Sequence, residues 1–396
     1  MKSFYTNVQV YGSRILYRGV EDGRKVKRKI DYFPTLYVPA KEHTGFTSVS
    51  GDAMAEMKPG NIRETRDFVE TYKDVQNFKI YGNQKYEYAF IADHFSDDVD
   101  WDLSHINVTN IDIDHLDHFS TFDNMVESFE RFINAVAGPR VVCADDASLS
   151  AIALKHNVTT YAIHSPAQFT ARNVQFHDGG STFDVLHHEV SGDNGLLLGR
   201  VALQLRGEHN VANALGVIAM SKLLGVEFGV ISSALVAFSG VSRRFDQRGN
   251  DNGVSFVDDY AHLPTEISAV LSSCRDETDS WKRVIAVFQP NRFNRMQHMS
   301  DTYADCFAAA DHVVITDIYS SGTTPIAGVT GKLVVDAIAR AHPNTSLAWK
   351  PTRAELIQHL ATELRSGDLC ISMGCGDIET LPDEVITARR ALRGGS

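Results

Sequence analysis

The amino-acid sequence predicts an α/β protein in which a strand-rich α+β segment precedes a doubly wound parallel-sheet domain. Three observations predict it. From Gly253 onward, five apolar runs (VSFV, RVIAVF, HVVIT, SLAW and LCISM) are separated by stretches of helical pattern, the rhythm of parallel strands joined by crossover helices. Before residue 108 the runs instead alternate, are rich in aromatics and follow one another closely. Composition shifts at the same place: nine of thirteen tyrosines lie before residue 108, whereas all five cysteines and thirteen of sixteen histidines lie after it.

The first segment, 1–107, opens with FYTNVQVYG, SRILYRGVE, KVKRKIDY and TLYVP, and the Asp22-Gly23 pair between two of these runs predicts a hairpin. A helix is expected over 62–75, with strands again in NFKIYG and YEYAFIAD. The acidic stretch Asp97, Asp98, Asp100 and Asp102 reads as a solvated connector. In the second segment, 108–240, Ser120 is placed to cap a helix, with Asp123 at its third position. Phe122, Met125, Val126, Phe129, Phe132, Ile133 and Val136 then share one face up to Gly138-Pro139. RVVCA follows as a buried strand, and a helix over 209–224 stops at Gly225. The third segment, 241–396, carries the five strand-like runs.

With 396 residues, 43% of them hydrophobic, the chain can bury two or three cores. It contains no apolar stretch long enough to span a membrane, and the start, MKSFYTNVQVYGSR, lacks the features of a signal peptide. Cys143, Cys274, Cys306, Cys370 and Cys375 form no CxxC pair, which points to a reducing, cytoplasmic compartment rather than a disulfide framework. The formal charge of -12 is uneven: 15 basic and 16 acidic residues up to Asn107, then 23 and 34. That balance repels nucleic acid in general, although Arg24, Lys25, Lys27, Arg28 and Lys29 could touch it locally or simply form a solvated hairpin edge.

Six segments stand in a fixed order: VTNIDIDHLDHF (108–119), VVCADD (141–146), GEHNVANAL (207–215), GVSRRFD (240–246), DDYAHLPTEI (258–267) and FQPNRFNR (288–295), followed by GCGDI (374–378). Each offers chemistry. NIDIDHLD places Asn110, Asp114 and His115 after a strand, on the usual ligand side, or forms a capped turn with His115 facing water. GEHNVANAL puts His209, Asn210 and Asn213 where helix amides and side-chain amides can hold a base or phosphate, or where Glu208 or Asn210 merely caps the helix. Arg243 and Arg244 have planar heads suited to bidentate phosphate binding, or to an interdomain salt bridge. Asp259, Tyr260 and His262 lie on a loop before a helix with Pro264 in its first turn. Arg292 and Arg295 are either anion ligands or surface arginines. GCGDI has Glu379 where a dinucleotide motif needs its third glycine, so it reads as a tight turn in which Cys375 packs.

This ordered set resembles the Mur ligases over residues 108–396. The resemblance implies a central ATP-binding domain over 108–240 and a carboxyl-terminal domain over 241–396. It implies an ATP-driven amide synthesis in which a carboxylate becomes an acyl phosphate that an amine attacks. ATP and Mg2+ would be the cofactors; the small-molecule partners would be UDP-N-acetylmuramate and L-alanine. His115 would be a magnesium ligand, and His209, Asn210 and Asn213 would serve the adenine. Arg243 or Arg244 would serve the phosphates, and Asp259, Tyr260 and His262 the nucleotide and substrate loop. Arg292 and Arg295 would orient substrate carboxylates and the acyl phosphate. Leu263 and Asn291 stand where the family usually has histidine.

The family's Gly-Lys-Thr phosphate loop has no counterpart: Gly331-Lys332 is followed by Leu333, and Ile326 takes the place of the loop's first glycine. The family's amino-terminal uridine-nucleotide domain has no counterpart either, so the central domain is expected to be truncated, ATP binding weak and the ligase reaction impaired. Residues 1–112 are similar to the amino-terminal domain of family B DNA polymerases of large tailed phages, with VTNIDID as the crossover. That likeness implies a fusion, or alternatively a nucleic-acid-binding module on an inactive ligase remnant.

Overall fold

The computed structural model describes residues 8–21, 24–32, 99–114, 119–177, 179–189, 194–275 and 281–394, with side chains from residue 105 onward. The helix expected over 62–75, the runs NFKIYG and YEYAFIAD, and His115 lie outside the described residues.

Eight strands form the first sheet: β1 (Val8–Glu21), β2 (Arg24–Tyr32), β3 (Val99–Val108), β4 (Arg140–Cys143), β5 (Thr159–Ala162), β6 (Phe169–His177), β7 (Gly180–His187) and β8 (Leu196–Leu203). Their order is β2-β1-β3-β4-β5-β6-β7-β8. The expected hairpin is present, with Glu21 opposite Arg24, so Asp22 and Gly23 alone separate the strands. β1 runs antiparallel to β3, and β3 pairs in parallel with β4. Asp100 and Asp102 of the acidic stretch are thus no connector but belong to β3, opposite Leu16 and Arg14 of β1, while Asp97 and Asp98 lie outside the described residues. β3 also runs through residue 107.

Helix α1 (Phe122–Asn134) buries Met125, Phe129, Phe132 and Ile133, as its spacing requires. Its cap is Thr121 rather than Ser120. Ser120 takes a left-handed φ of 65°, whereas Thr121 is extended and its hydroxyl accepts from the Asn124 N–H at 3.1 Å. α2 (Ala147–Lys155), α3 (Glu208–Leu223) and α4 (Phe228–Ala237) complete this part of the chain.

The second sheet contains β9 (Asp246–Asp251), β10 (Val254–Asp259), β11 (Arg283–Phe288), β12 (His312–Ile315), β13 (Leu347–Trp349) and β14 (Asp368–Met373). Its order is β13-β12-β11-β14-β10-β9, parallel except at β9. Side chains alternate through β11. Val284, Ala286 and Phe288 join a core with Ile267 and Leu271 of α5 (Pro264–Ser273) and Val334 and Ile338 of α7 (Lys332–Ala341). Ile285 and Val287 pack on the other side with Leu356 and Leu360 of α8 (Arg353–Glu363) and Val385 of α9 (Leu381–Gly394). Both faces are covered, which is why these strands read as continuous apolar runs.

By compactness the chain divides into two units. One comprises Met1–Arg172, Asp184–Arg200 and Ala212–Ser232; the other comprises Asn173–Phe183, Val201–Val211 and Ser233–Ser396. All five cysteines are buried and none is in a disulfide, and burial pushes the thiols of Cys143 and Cys370 up to about 11 and 12. No helix among the described residues is long and apolar enough to cross a membrane.

Candidate active site at the carboxyl edge of the second sheet

Strand order places a topological switch beside β14. From β11 the chain moves outward to β12 and β13, whereas β14 leads to α9, which packs back toward β9 and β10. Ligands bind at such points because the loops part there. Gln289, just after β11, spans the gap: its amide donates to the Asp377 carboxylate at 2.8 Å and accepts from the Ile378 N–H at 3.3 Å.

The loop after α4 enters this edge through a strained residue. Arg243 adopts a φ of 63°, and its guanidinium is buried. It donates from Nε to Asp258 at 2.9 Å and from Nη2 to the Gly374 carbonyl at 2.8 Å, and it pairs with Glu379 at 3.2 Å. One side chain therefore ties the loop to the ends of β10 and β14. Arg244, next in sequence, is half-buried with its Cζ 5.5 Å from the Tyr260 ring centre; Arg243 lies 5.0 Å from the same centre.

Asp259 organises backbone. Its two oxygens accept the N–H groups of Phe245 and Ala261, each at 2.8 Å. Burial pushes this carboxyl up to about 6, against the pull of the Arg244 charge and the two amides. His262 is buried, its Nδ1 donating toward the Tyr260 carbonyl at 3.1 Å and lying 3.2 Å from Glu266. Glu266 also accepts the N–H groups of His262 and Leu263, capping α5 at its start. Burial raises the Glu266 carboxyl, but His262, Arg244 and these amides together hold it below the usual range.

Arg292 repeats the left-handed backbone of Arg243, with a φ of 63°. Its N–H donates to the Tyr319 carbonyl at 2.9 Å, and it leads into α6 (Phe293–Met299). Arg295 donates to the side chain of Asn291, and all three residues are buried. The presence of Asn291 is thus explained locally: its amide oxygen receives a guanidinium, which a protonated histidine there would repel.

On α3, His209 is half-buried. Burial first, then the Arg244 charge, push its imidazole down to about 4. Asn210 donates to the Arg206 carbonyl at 2.7 Å and lies 3.1 Å from His209 Nε2. Arg206 stacks over Trp281 at 4.7 Å and Phe245 at 5.4 Å, so the GEHN turn is held to the GVSRRFD loop. Asn213 lies further along the same helix, half-buried.

The second unit therefore brings together Arg243, Arg244, Asp259, Tyr260, His262, His209 and Asn210, and it places Arg292 at the start of α6 and Arg295 within that helix. His115 is outside the described residues, and among those residues no cluster of three or more His, Cys, Asp or Glu is arranged to hold a metal ion. Sequence reasoning missed Asp258, Glu266, Gln289 and Tyr319. The signal for Asp258 was available: an acid directly after the run VSFV, still within the strand, needs a buried partner.

GCGDI is a tight turn, as its glycines suggest. A Cβ on Gly376 would lie 2.4 Å from Cγ of Tyr319 and 2.6 Å from Oε1 of Gln289. Gly376→Ala is therefore expected to cost about 1–3 kcal/mol of stability, measured by urea denaturation. A change below a few tenths would show that Tyr319 yields freely.

Residues 93–221 match the Mur ligase middle domain and residues 243–376 the Mur ligase glutamate ligase domain, so over these two segments the chain belongs to the Mur ligase family. Within it, the chain is similar to UDP-N-acetylmuramate–L-alanine ligases. The one from Desulfotalea psychrophila is 36% identical over 282 residues, 70% of this chain and 60% of that protein. The one from Nostoc punctiforme is 35% identical over 283 residues, 71% of this chain and 56% of that protein. The crystal structure of the UDP-N-acetylmuramate–alanine ligase of Thermotoga maritima shares the fold with a TM-score of 0.57 at 23% identity, covering 73% of this chain and 60% of that one. The chain thus spans about three fifths of the length of these relatives.

Proposed function

We propose that this chain acts in ATP-dependent amide-bond formation of the kind named in its relatives, joining L-alanine to UDP-N-acetylmuramate through an acyl phosphate. The observation that supports this most is the gathering of Arg243, Arg244 and Arg292 on the loops that follow α4 and β11, with Arg295 one turn into α6. Both chemical steps build negative charge on oxygen, and preorganised guanidinium groups are what stabilise it. Bound ATP supplies the transferred phosphoryl group.

The arginines divide the work. Arg243 is committed to Asp258, Gly374 and Glu379, so it holds the loop in place. Arg244 carries the charge toward the phosphates, beside His209 and Asn210 at the start of α3. Arg292 and Arg295 orient the carboxylate and the tetrahedral intermediate. The magnesium role of His115 remains part of the proposal, as does a cytoplasmic location, where the nucleotide substrates are held. No Gly-Lys-Thr or Gly-Lys-Ser sequence occurs in the chain, so magnesium-ATP is expected to bind weakly on its own.

Calorimetric titration with an alanine-derived phosphinate analogue of the tetrahedral intermediate tests the reading. Binding is expected, with a loss of tenfold or more in Arg292→Ala. No binding, or equal binding by the variant, would overturn it. Micromolar affinity for magnesium-ATP alone would sink the weak-nucleotide part while leaving the reaction class standing.

A further inference from the structure

After β12 the chain returns to the arginines on the neighbouring loop. Residues 319–323 run beside residues 290–293, with Asn291 and Tyr319 in an isolated parallel bridge. Three hydrogen bonds join the two stretches. The Tyr319 N–H donates to the Pro290 carbonyl at 2.9 Å, the Arg292 N–H to the Tyr319 carbonyl at 2.9 Å, and the Phe293 N–H to the Thr323 hydroxyl at 3.0 Å. We infer that Thr323 is a positioning residue for amide formation: its hydroxyl caps α6 from thirty residues away and so fixes how Arg292 and Arg295 are presented. This rests on the role proposed above for those two arginines.

The first turn of a helix leaves N–H groups that its own backbone cannot satisfy, and the residue before it normally supplies an acceptor. An arginine side chain has no acceptor to offer, and Arg292 in that position makes no side-chain cap. Thr323 supplies the acceptor instead, and the turn over 320–323 prepares it. Ser321 and Gly322 both have a positive φ, 47° and 80°, and the Thr323 N–H donates to the Ser320 carbonyl at 2.9 Å, as in a type I′ turn. The Thr323 hydroxyl gives its proton to the same carbonyl at 2.6 Å, which leaves a lone pair for the Phe293 N–H. A β-branched side chain, stiff at χ1, suits so fixed a task.

Arg292 is the residue that needs this cap. It sits at φ 63° and ψ 121°, a strained conformation for a residue with a Cβ, and such strain persists only where the surroundings over-determine it. Two of the three hydrogen bonds run from main chain to main chain and depend little on sequence. The third depends on a side chain. Without it, the first peptide of α6 would be free to relax, swinging the Arg292 side chain and the start of the helix that carries Arg295. Arg295 is tied to the same stretch, because it donates to Asn291, the bridge partner of Tyr319. A misplacement of about 1 Å at groups that orient a reacting centre can cost about a hundredfold in rate. The Thr323 hydroxyl is engaged within the protein as both donor and acceptor, so it acts through the arginines rather than on substrate.

The test uses the full chain and the alanine-derived phosphinate of the titration above. Thr323→Val keeps the shape and loses the hydroxyl, and it is expected to bind the analogue roughly fivefold to fiftyfold more weakly. Thr323→Ser should stay within about twofold of the unaltered protein. Ile338→Val, a truncation in the core on α7, destabilises the domain away from the arginines and should also stay within about twofold. Amide exchange followed by NMR gives a readout without ligand: the Phe293 N–H should exchange about tenfold faster or more in Thr323→Val, and at its original rate in Thr323→Ser. Unchanged affinity in Thr323→Val, equal weakening in Ile338→Val, or a Phe293 amide that exchanges no faster in Thr323→Val would each overturn the inference. If Thr323→Val fails to fold, the Phe293 amide of the unaltered protein decides, and exchange as fast as in an exposed loop sinks the cap. No binding by the unaltered protein would instead overturn the role of the arginines, and the exchange rates alone would then decide whether Thr323 caps α6.

Discussion

Replacing Asp258 by alanine is expected to lower the unfolding free energy by about 3–5 kcal/mol, because it strands a buried guanidinium. Asp258 is fully buried and bonded to Arg243 and to the Ser372 hydroxyl at 3.1 Å. The two partners pull in opposite directions. Burial, the larger influence, lifts the Asp258 carboxyl despite Arg243; burial also works against the Arg243 charge, yet Asp258 and Glu379 together raise that guanidinium. The salt bridge as a pair is therefore close to neutral in stability, and the heavy cost falls on removing one member. Asp258→Leu combined with Arg243→Met should recover much of the loss. Urea denaturation of the three variants checks this, and a cost below about 1 kcal/mol for Asp258→Ala would refute the buried-clamp description.

A second large effect concerns pH. The folded chain holds the Asp259 carboxyl at about 6, so between about 6 and the ordinary value near 3.8 it binds a proton that the unfolded chain does not. Asp259 thus adds stability as pH falls through that window. His209, pushed down to about 4, does the reverse: between 6.5 and 4 the unfolded chain takes the proton, and stability is lost on acidification. Each contribution is on the order of 2–3 kcal/mol, and the windows overlap. The unaltered protein should show little net slope from these two groups between pH 4 and 6. His209→Gln should become relatively more stable as pH falls, and Asp259→Asn relatively less. Parallel slopes for both variants would refute the opposed pair.

The five parallel strands and the helices α1 and α3 were legible in the sequence, because apolar runs and 3.6-residue spacing report burial directly. β5 to β8 were not. β6 and β8 alternate only partly between buried and exposed residues, and Leu196 and Leu197 stand exposed, so periodicity carries little signal there. The candidate site was half legible. Motifs named Arg243, Asp259 and His262, but not that all three are occupied within the domain. The roles of Gly374 and Gly376 became clear only once Gln289 and Tyr319 were seen against them. Such relations join residues more than fifty positions apart, which no local pattern records.

The placement of β14 also bears on how the domain is made. β14 is the latest of the described strands in the chain, yet it occupies the middle of the second sheet, between β11 and β10. During synthesis, β10 and β11 leave the ribosome more than seventy residues ahead of the strand that must separate them. Until it arrives, both present unsatisfied pairing edges, and they can meet only each other or another nascent chain. The domain must therefore close late and all at once, and in the interval it is a natural client for chaperones.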